Sequence, residues 1–199
     1  LGILVQGLAR PPLRAKLSKS GSHMKFTRLL SLFALALFVM LTVSCHGSGW
    51  SLVDWKIKHD FPEVKRITPP ELAAWLQDPK RPAPVLLDVR TQAEYEVSHL
   101  QNAERVQPDS PASAIHLAKD QPIVTYCSVG YRSGAFAQTL DEAGYTNVHN
   151  MEGSIFKWAN EGRPVYRDGK RVEKVHPYNK TWGRLLERKR QADVPPDPK

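Results

Sequence analysis

Val124-Thr125-Tyr126-Cys127-Ser128-Val129-Gly130-Tyr131-Arg132-Ser133 is the stretch on which the reading of this chain turns. With Ile123 ahead of it, its first part reads as the clearest strand in the chain, Ile123–Tyr126. A cysteine stands directly at the strand's end. A short loop with one glycine and one arginine follows, and Ser133 opens a helix predicted to run to Ala143, with Gly144 as its stop. Loop N–H groups turned inward cradle an anion, and the free N–H groups of a helix start add positive potential. Both favour the thiolate, which is the nucleophile. Gly130 permits backbone angles that other residues resist, and Arg132 offers a planar fork suited to an oxyanion. A cysteine at a strand end is, taken alone, more often inert packing. The loop, the glycine, the arginine and the helix start together shift the reading to a reactive one.

Working outward, the spacing predicts strands over Val64–Thr68, Val85–Val89, Ala103–Val106 and Val148–Met151. Helices are predicted after the Thr68 and Thr91 caps, each with a glutamate three residues on (Glu71, Glu94). Further helical stretches are Ser113–Ala118 and Ile155–Asn160. Strands alternating with helices imply an α/β fold, a mostly parallel sheet with helices on both faces. Sites in such sheets form at the carboxyl ends of the strands, which again points to Cys127. Val165–Val172 reads as a hairpin with an Asp168-Gly169 turn. Trp182–Gln191 reads as a short basic amphipathic helix, with docking on the domain preferred to contact with a membrane or partner, and Pro195–Pro198 reads as a disordered end.

Four ordered blocks carry a resemblance. They are Cys127-x-x-Gly130-x-Arg132-Ser133, the run Leu87-Asp88-Val89-Arg90-Thr91-x-x-Glu94-Tyr95, the run Leu140-x-x-x-Gly144-Tyr145-x-x-Val148, and Glu152-Gly153-Ser154-Ile155-Phe156-x-Trp158. Residues 64–166 thereby resemble the rhodanese homology domain. The chain departs from that family's pattern at Ser98, Gln101 and Asn102, where Gly and Pro are usual, and in the last block, where the family usually has two glycines. The resemblance implies a sulfurtransferase in which Cys127 takes a sulfane sulfur as a persulfide, from a small anionic donor such as thiosulfate to cyanide or a thiol. It further implies that Ser128, Val129, Gly130, Tyr131, Arg132 and Ser133 bind the anionic sulfur and the donor's oxyanion. Asp88 and Arg90 are expected to support the loop through an ion pair, while Glu94 and His99 are accounted for by capping and packing. A related fold supports Cys-dependent phosphatase chemistry with one more residue between Cys and Arg. Here four residues separate Cys127 from Arg132, which favours sulfur over phosphate. A sulfur-relay or binding module without turnover of its own stays open as an alternative. No metal or organic cofactor is indicated.

The remaining sequence concerns placement. The chain has 199 residues, 41% of them hydrophobic, and a net charge of +8, which suits one domain with tails. The charge lies partly near each end (Arg10, Arg14, Lys16, Lys19; Arg184, Arg188, Lys189, Arg190) with no RNA-binding aromatic motif or zinc spacing, so a nucleic-acid partner is not expected. Met24, Lys25 and Arg28 precede an apolar run from Leu29 to Val43 and a small-residue exit, the layout of an export signal. The run is short for a permanent span, although an uncleaved anchor stays open. Leu41-Thr42-Val43-Ser44-Cys45 resembles a bacterial lipoprotein box, which makes Cys45 a lipidation candidate. The expected organisation is an upstream extension or tag remnant (1–23), a signal or lipoprotein signal (24–45), a linker (46–63), the rhodanese-like domain (64–166) and a basic C-terminal extension (167–199). The expected location is exported, either periplasmic or membrane-anchored.

Overall fold

The computed structural model describes residues 49–194. The readings of residues 1–48, with Cys45 among them, and of Pro195–Pro198 lie outside the described residues. Residues 49–60 form helix α1. There follow β1 (Arg66–Ile67), α2 (Pro69–Gln77), β2 (Val85–Asp88), α3 (Gln92–Val97), β3 (Glu104–Arg105), β4 (Ile123–Tyr126), α4 (Tyr131–Glu142), β5 (Val148–Met151) and α5 (Ser154–Asn160). The first five strands pair in the order β1-β5-β4-β2-β3, and every pairing is parallel.

Two cores sandwich this sheet. Alternation along a strand sends successive side chains to opposite faces. Leu86 and Val124 therefore join Leu72, Trp75, Ile155 and Phe156 on the α2/α5 face, while Leu87 and Ile123 join Phe136, Ala137 and Leu140 on the α4 face. Thr68 and Thr91 both close capping boxes, with Glu71 and Glu94 respectively. From β2 the chain moves outward to β3, then crosses back to β4 and moves on to β5. The loops after β2 and β4 thus diverge at the middle of the sheet, where a crevice opens. Cys127 is the first residue after β4, at that crevice.

Five sequence expectations change. The linker assigned to 46–63 holds a helix over residues 49–60. Trp50, Val53 and Ile57 recur at helical spacing and face the cores, a stripe obscured by Leu52 and Trp55 on the outer face, which stay exposed. Helix α4 begins at Tyr131, two residues before Ser133, because Gly130 adopts φ 112° and turns the chain there. The helix expected over Ser113–Ala118 is a 3-10 turn at Ala112–Ala114 without a buried residue to extend it against. The folded unit also continues past residue 166. After the hairpin of β6 (Val165–Arg167) and β7 (Lys170–Val172), Val175 (0% exposed) and Leu186 (2%) enter the core. The basic helix expected over Trp182–Gln191 is two 3-10 turns, Trp182–Leu185 and Arg188–Arg190. Leu186 is extended between them, and the Gln191 side-chain amide donates to the Gly183 and Leu186 carbonyls, each at 2.9 Å, in place of helical bonds. Docking is thus the outcome. Asn160, closing α5, donates to Leu185 O and accepts from Glu187 N, both at 2.8 Å.

Candidate active site

The loop from Cys127 to Ser133 wraps inward. Gly130 N–H donates to Cys127 Sγ at 3.1 Å. The φ of 112° at Gly130 is open to glycine alone at low cost, and a Cβ there would come within 3.1 Å of Ile57 on α1. Neighbours fix the loop from below. Cys127 N–H donates to Ser154 Oγ at 3.1 Å, and Asn150 Nδ2 donates to Gly130 O at 2.9 Å. Ser133 Oγ bonds Asn150 Oδ1 at 2.7 Å. Its hydroxyl has a single hydrogen to give, and this bond takes it.

Charge completes the arrangement. Arg132, in the first turn of α4, donates from Nη1 to Glu94 Oε2 and from Nη2 to Glu94 Oε1, both at 2.8 Å, and from Nη2 to Ser128 Oγ at 2.9 Å. Ser128 Oγ in turn donates to Glu94 Oε1 at 2.5 Å. Glu94 belongs to α3, on the loop after β2, so one carboxylate joins the two diverging loops. Burial raises the Glu94 pKa, but the Arg132 bonds and charge, with Arg90 and Ser128, outweigh it and hold the group at about 2. Burial likewise pushes the Cys127 thiol up. The Arg132 charge, Ser133 and the Gly130 N–H act against burial and leave the thiol below its ordinary value.

Cys127 is 1% exposed, yet it floors an open pocket of about 310 Å³ that is also lined by Lys56, Ser128, Val129, Tyr131, Arg132, Tyr178 and Trp182. The sulfur is approachable, and its cradle faces inward.

Placed against the sequence expectations, Cys127 and residues 128–133 do come together. Asp88 and Arg90 do form an ion pair, with both side chains fully buried and Nη2 to Oδ2 at 2.6 Å. The pair braces the loop only indirectly. Arg90 donates to Ser98 O and lies 5.8 Å from the Tyr126 ring, just ahead of Cys127. The direct braces are Glu94, Asn150 and Ser154. Glu94 is more than a cap: one oxygen serves the Thr91 capping box while both hold Arg132. Arg132 is correspondingly less a free oxyanion fork than a loop clamp. Ser154 had a signal in the sequence, since it replaces a usual glycine and sits at φ 50°. Lys56, Tyr178 and Trp182, far away in the chain, had none.

A parallel α/β sheet with a cradled cysteine at its central crevice defines the class. Comparison with known proteins gives the family. Residues 68–161 match the rhodanese-like domain family, and the chain carries a rhodanese-like domain over those residues. It is 34% identical over 111 residues to the tRNA uridine(34) hydroxylase of Erwinia tasmaniensis, covering 50% of this chain and 31% of that protein. It is 33% identical over 101 residues to the probable adenylyltransferase/sulfurtransferase MoeZ of Mycobacterium tuberculosis, covering 49% of this chain and 25% of that protein. The match therefore spans about a quarter to a third of these relatives' length. Among solved structures, a rhodanese-like domain protein from Staphylococcus aureus aligns at TM-score 0.47 and 26% identity, over 53% of this chain and 99% of that one.

The Glu94 carboxylate makes a test by pH. A depressed folded-state pKa contributes stability that is fully present above the ordinary value of 4.5 and lost as pH falls toward about 2. Urea-unfolding midpoints should fall across that window in the wild type. The Glu94→Gln variant should be less stable at neutral pH, by about 3–5 kcal/mol for a buried pair stripped of one partner, and should show a shallower acid slope.

Proposed function

We propose that this chain transfers sulfane sulfur through a persulfide on Cys127. The observation that carries the reading is the Gly130 N–H, 3.1 Å from Sγ, within a loop that lowers the thiol's pKa at the floor of an open pocket. In the first step the Cys127 thiolate attacks the outer sulfur of an anionic donor such as thiosulfate. The new S–S bond forms as the donor's S–S bond breaks, and sulfite leaves with its electron pair. In the second step a thiophilic acceptor, cyanide or a thiolate, attacks the outer sulfur of the persulfide. Thiocyanate or a new persulfide departs, and the Cys127 thiolate returns. Atoms and charge balance in each step without a redox partner. Loop amides from Ser128 to Ser133 hold the anionic sulfur, and Arg132 keeps the loop closed and the field positive. A sulfurtransferase relative supports the same chemistry.

The export reading rests on the sequence from Met24 to Cys45. We propose that this segment directs the domain out of the cytoplasm, with Cys45 carrying lipid or the apolar run serving as anchor. Fractionation of cells expressing the full chain decides it: recovery in the cytosol alone removes the proposal.

For sulfur transfer, exposure of the protein to thiosulfate followed by intact-mass measurement should show one added sulfur atom that cyanide removes. Cys127→Ser should gain none. Phosphate release from an aryl phosphate, with no added sulfur, would replace the reading with phosphatase chemistry.

A further inference from the structure

Three of the eight residues lining the pocket over Cys127 come from outside the rhodanese-like domain. Of its lining residues, Lys56 belongs to α1, while Tyr178 and Trp182 belong to the C-terminal extension; all three fall beyond residues 68–161. These parts are fixed in place. Ile57 of α1 is 6% exposed, and the extension is tied to α5 through Asn160. The extension also closes on itself, since Val175 N donates to Arg190 O at 2.8 Å and Ala192 N to Val175 O at 2.9 Å.

The backbone at Tyr178 is held in the left-handed region, φ 61°, a conformation that costs a bulky residue energy. His176 Nδ1 accepts the Tyr178 N–H at 3.0 Å and stabilises the turn. The outcome is a tyrosine ring 4.6 Å from the Arg132 guanidinium carbon, beside the reacting sulfur. Strain of this kind, observed rather than assumed, is the sort that accumulates where position matters.

The charged side chains of the lining, with Ser128 and Tyr131, are already bonded to the protein. Lys56 Nζ and Tyr131 Oη each donate to Asp60 Oδ2 at 2.7 Å. Arg132 and Ser128 are bonded to Glu94 and to each other. What these walls offer a ligand is mainly ring faces and aliphatic stems. The volume, about 310 Å³, stands at the lower end for organic small-molecule sites, which begin near about 300 Å³. An inorganic ion alone would leave the aromatic walls without a partner. In the second step of the proposed reaction, moreover, the loop amides hold the persulfide's outer sulfur, so recognition of the acceptor falls to the walls.

We propose that Tyr178 and Trp182 are specificity-determining residues, and that the acceptor they select is an organic thiol with an apolar, ring-sized body. This inference rests on the sulfur-transfer reading and names the substrate class of the same site. The acceptor's thiolate attacks the persulfide's outer sulfur in line with the S–S bond. That bond breaks, the acceptor leaves as R–S–S⁻, and Cys127 regains its electron pair. The acceptor's body meanwhile lies against the Tyr178 and Trp182 rings.

The test uses the full chain loaded with thiosulfate, then discharged by phenylmethanethiol or by 2-mercaptoethanol, two thiols of similar acidity and different bodies. The wild type should react with the aromatic thiol about tenfold faster or more, the scale on which apolar pockets discriminate. Trp182→Ala should cut that preference to about threefold or less, and Trp182→Phe should restore most of it. Tyr178→Asn, in which asparagine tolerates the left-handed backbone, should reduce the preference with the fold intact by thermal melting. Equal discharge of the loaded wild type by both thiols, or a full preference retained in Trp182→Ala and Tyr178→Asn, overturns this inference and leaves sulfur transfer standing. Failure of Cys127 to acquire sulfur at all overturns both.

Discussion

The bond between Glu94 and Arg132 holds the site together. It is a two-point carboxylate–guanidinium pair with the carboxylate wholly buried and the guanidinium 22% exposed. Parallel sheets part their loops at the crevice between β2 and β4, which leaves two loops with no main-chain reason to meet. Glu94 comes from one and Arg132 from the other. A buried charge without its partner costs several kcal/mol, so the closed arrangement is strongly preferred over one in which the loops drift apart. The pair also sets the local field. Arg132 stays charged beside Cys127, Ser128 is drawn into the same network, and the Gly130 N–H faces the sulfur.

The cradle depends further on elements outside the Cys127–Ser133 loop. Ile57 on α1 packs where a side chain on residue 130 would stand, so the helix before the domain and the glycine of the loop fit each other. Ser154 supports Cys127 N–H from the start of α5, at a left-handed position. The extension closes the opposite side with Tyr178 and Trp182. Through these additions a domain of widespread architecture acquires a pocket of its own shape.

Much of this was legible in the chain. Short β-branched runs ending in Asp88 and Tyr126 marked the central strands, because strands buried on both faces leave little room for other residues. The Thr68 and Thr91 caps read correctly, since their geometry is local. The loop from Cys127 to Ser133 could be recognised because its chemistry is contiguous. Legibility ended where contacts became long-range. Glu94 fits a capping box so well that its second task, 38 residues from Arg132, left no further mark. Helix α1 was hidden because apolar residues occupy its outer face as well as its inner one. The extension read as a basic amphipathic helix because charge spacing resembles helical spacing. Its actual turns are dictated by Leu186 entering the core and by Gln191 replacing helical bonds.

The central claim is that the cradle and Arg132 favour the Cys127 thiolate over the thiol. Ultraviolet titration of the thiolate, as the difference between wild type and Cys127→Ser, addresses it directly. The account predicts a midpoint below the ordinary thiol value of about 8.5, displaced upward in Arg132→Gln. A wild-type midpoint at or above that ordinary value, or one that Arg132→Gln leaves in place, would contradict it.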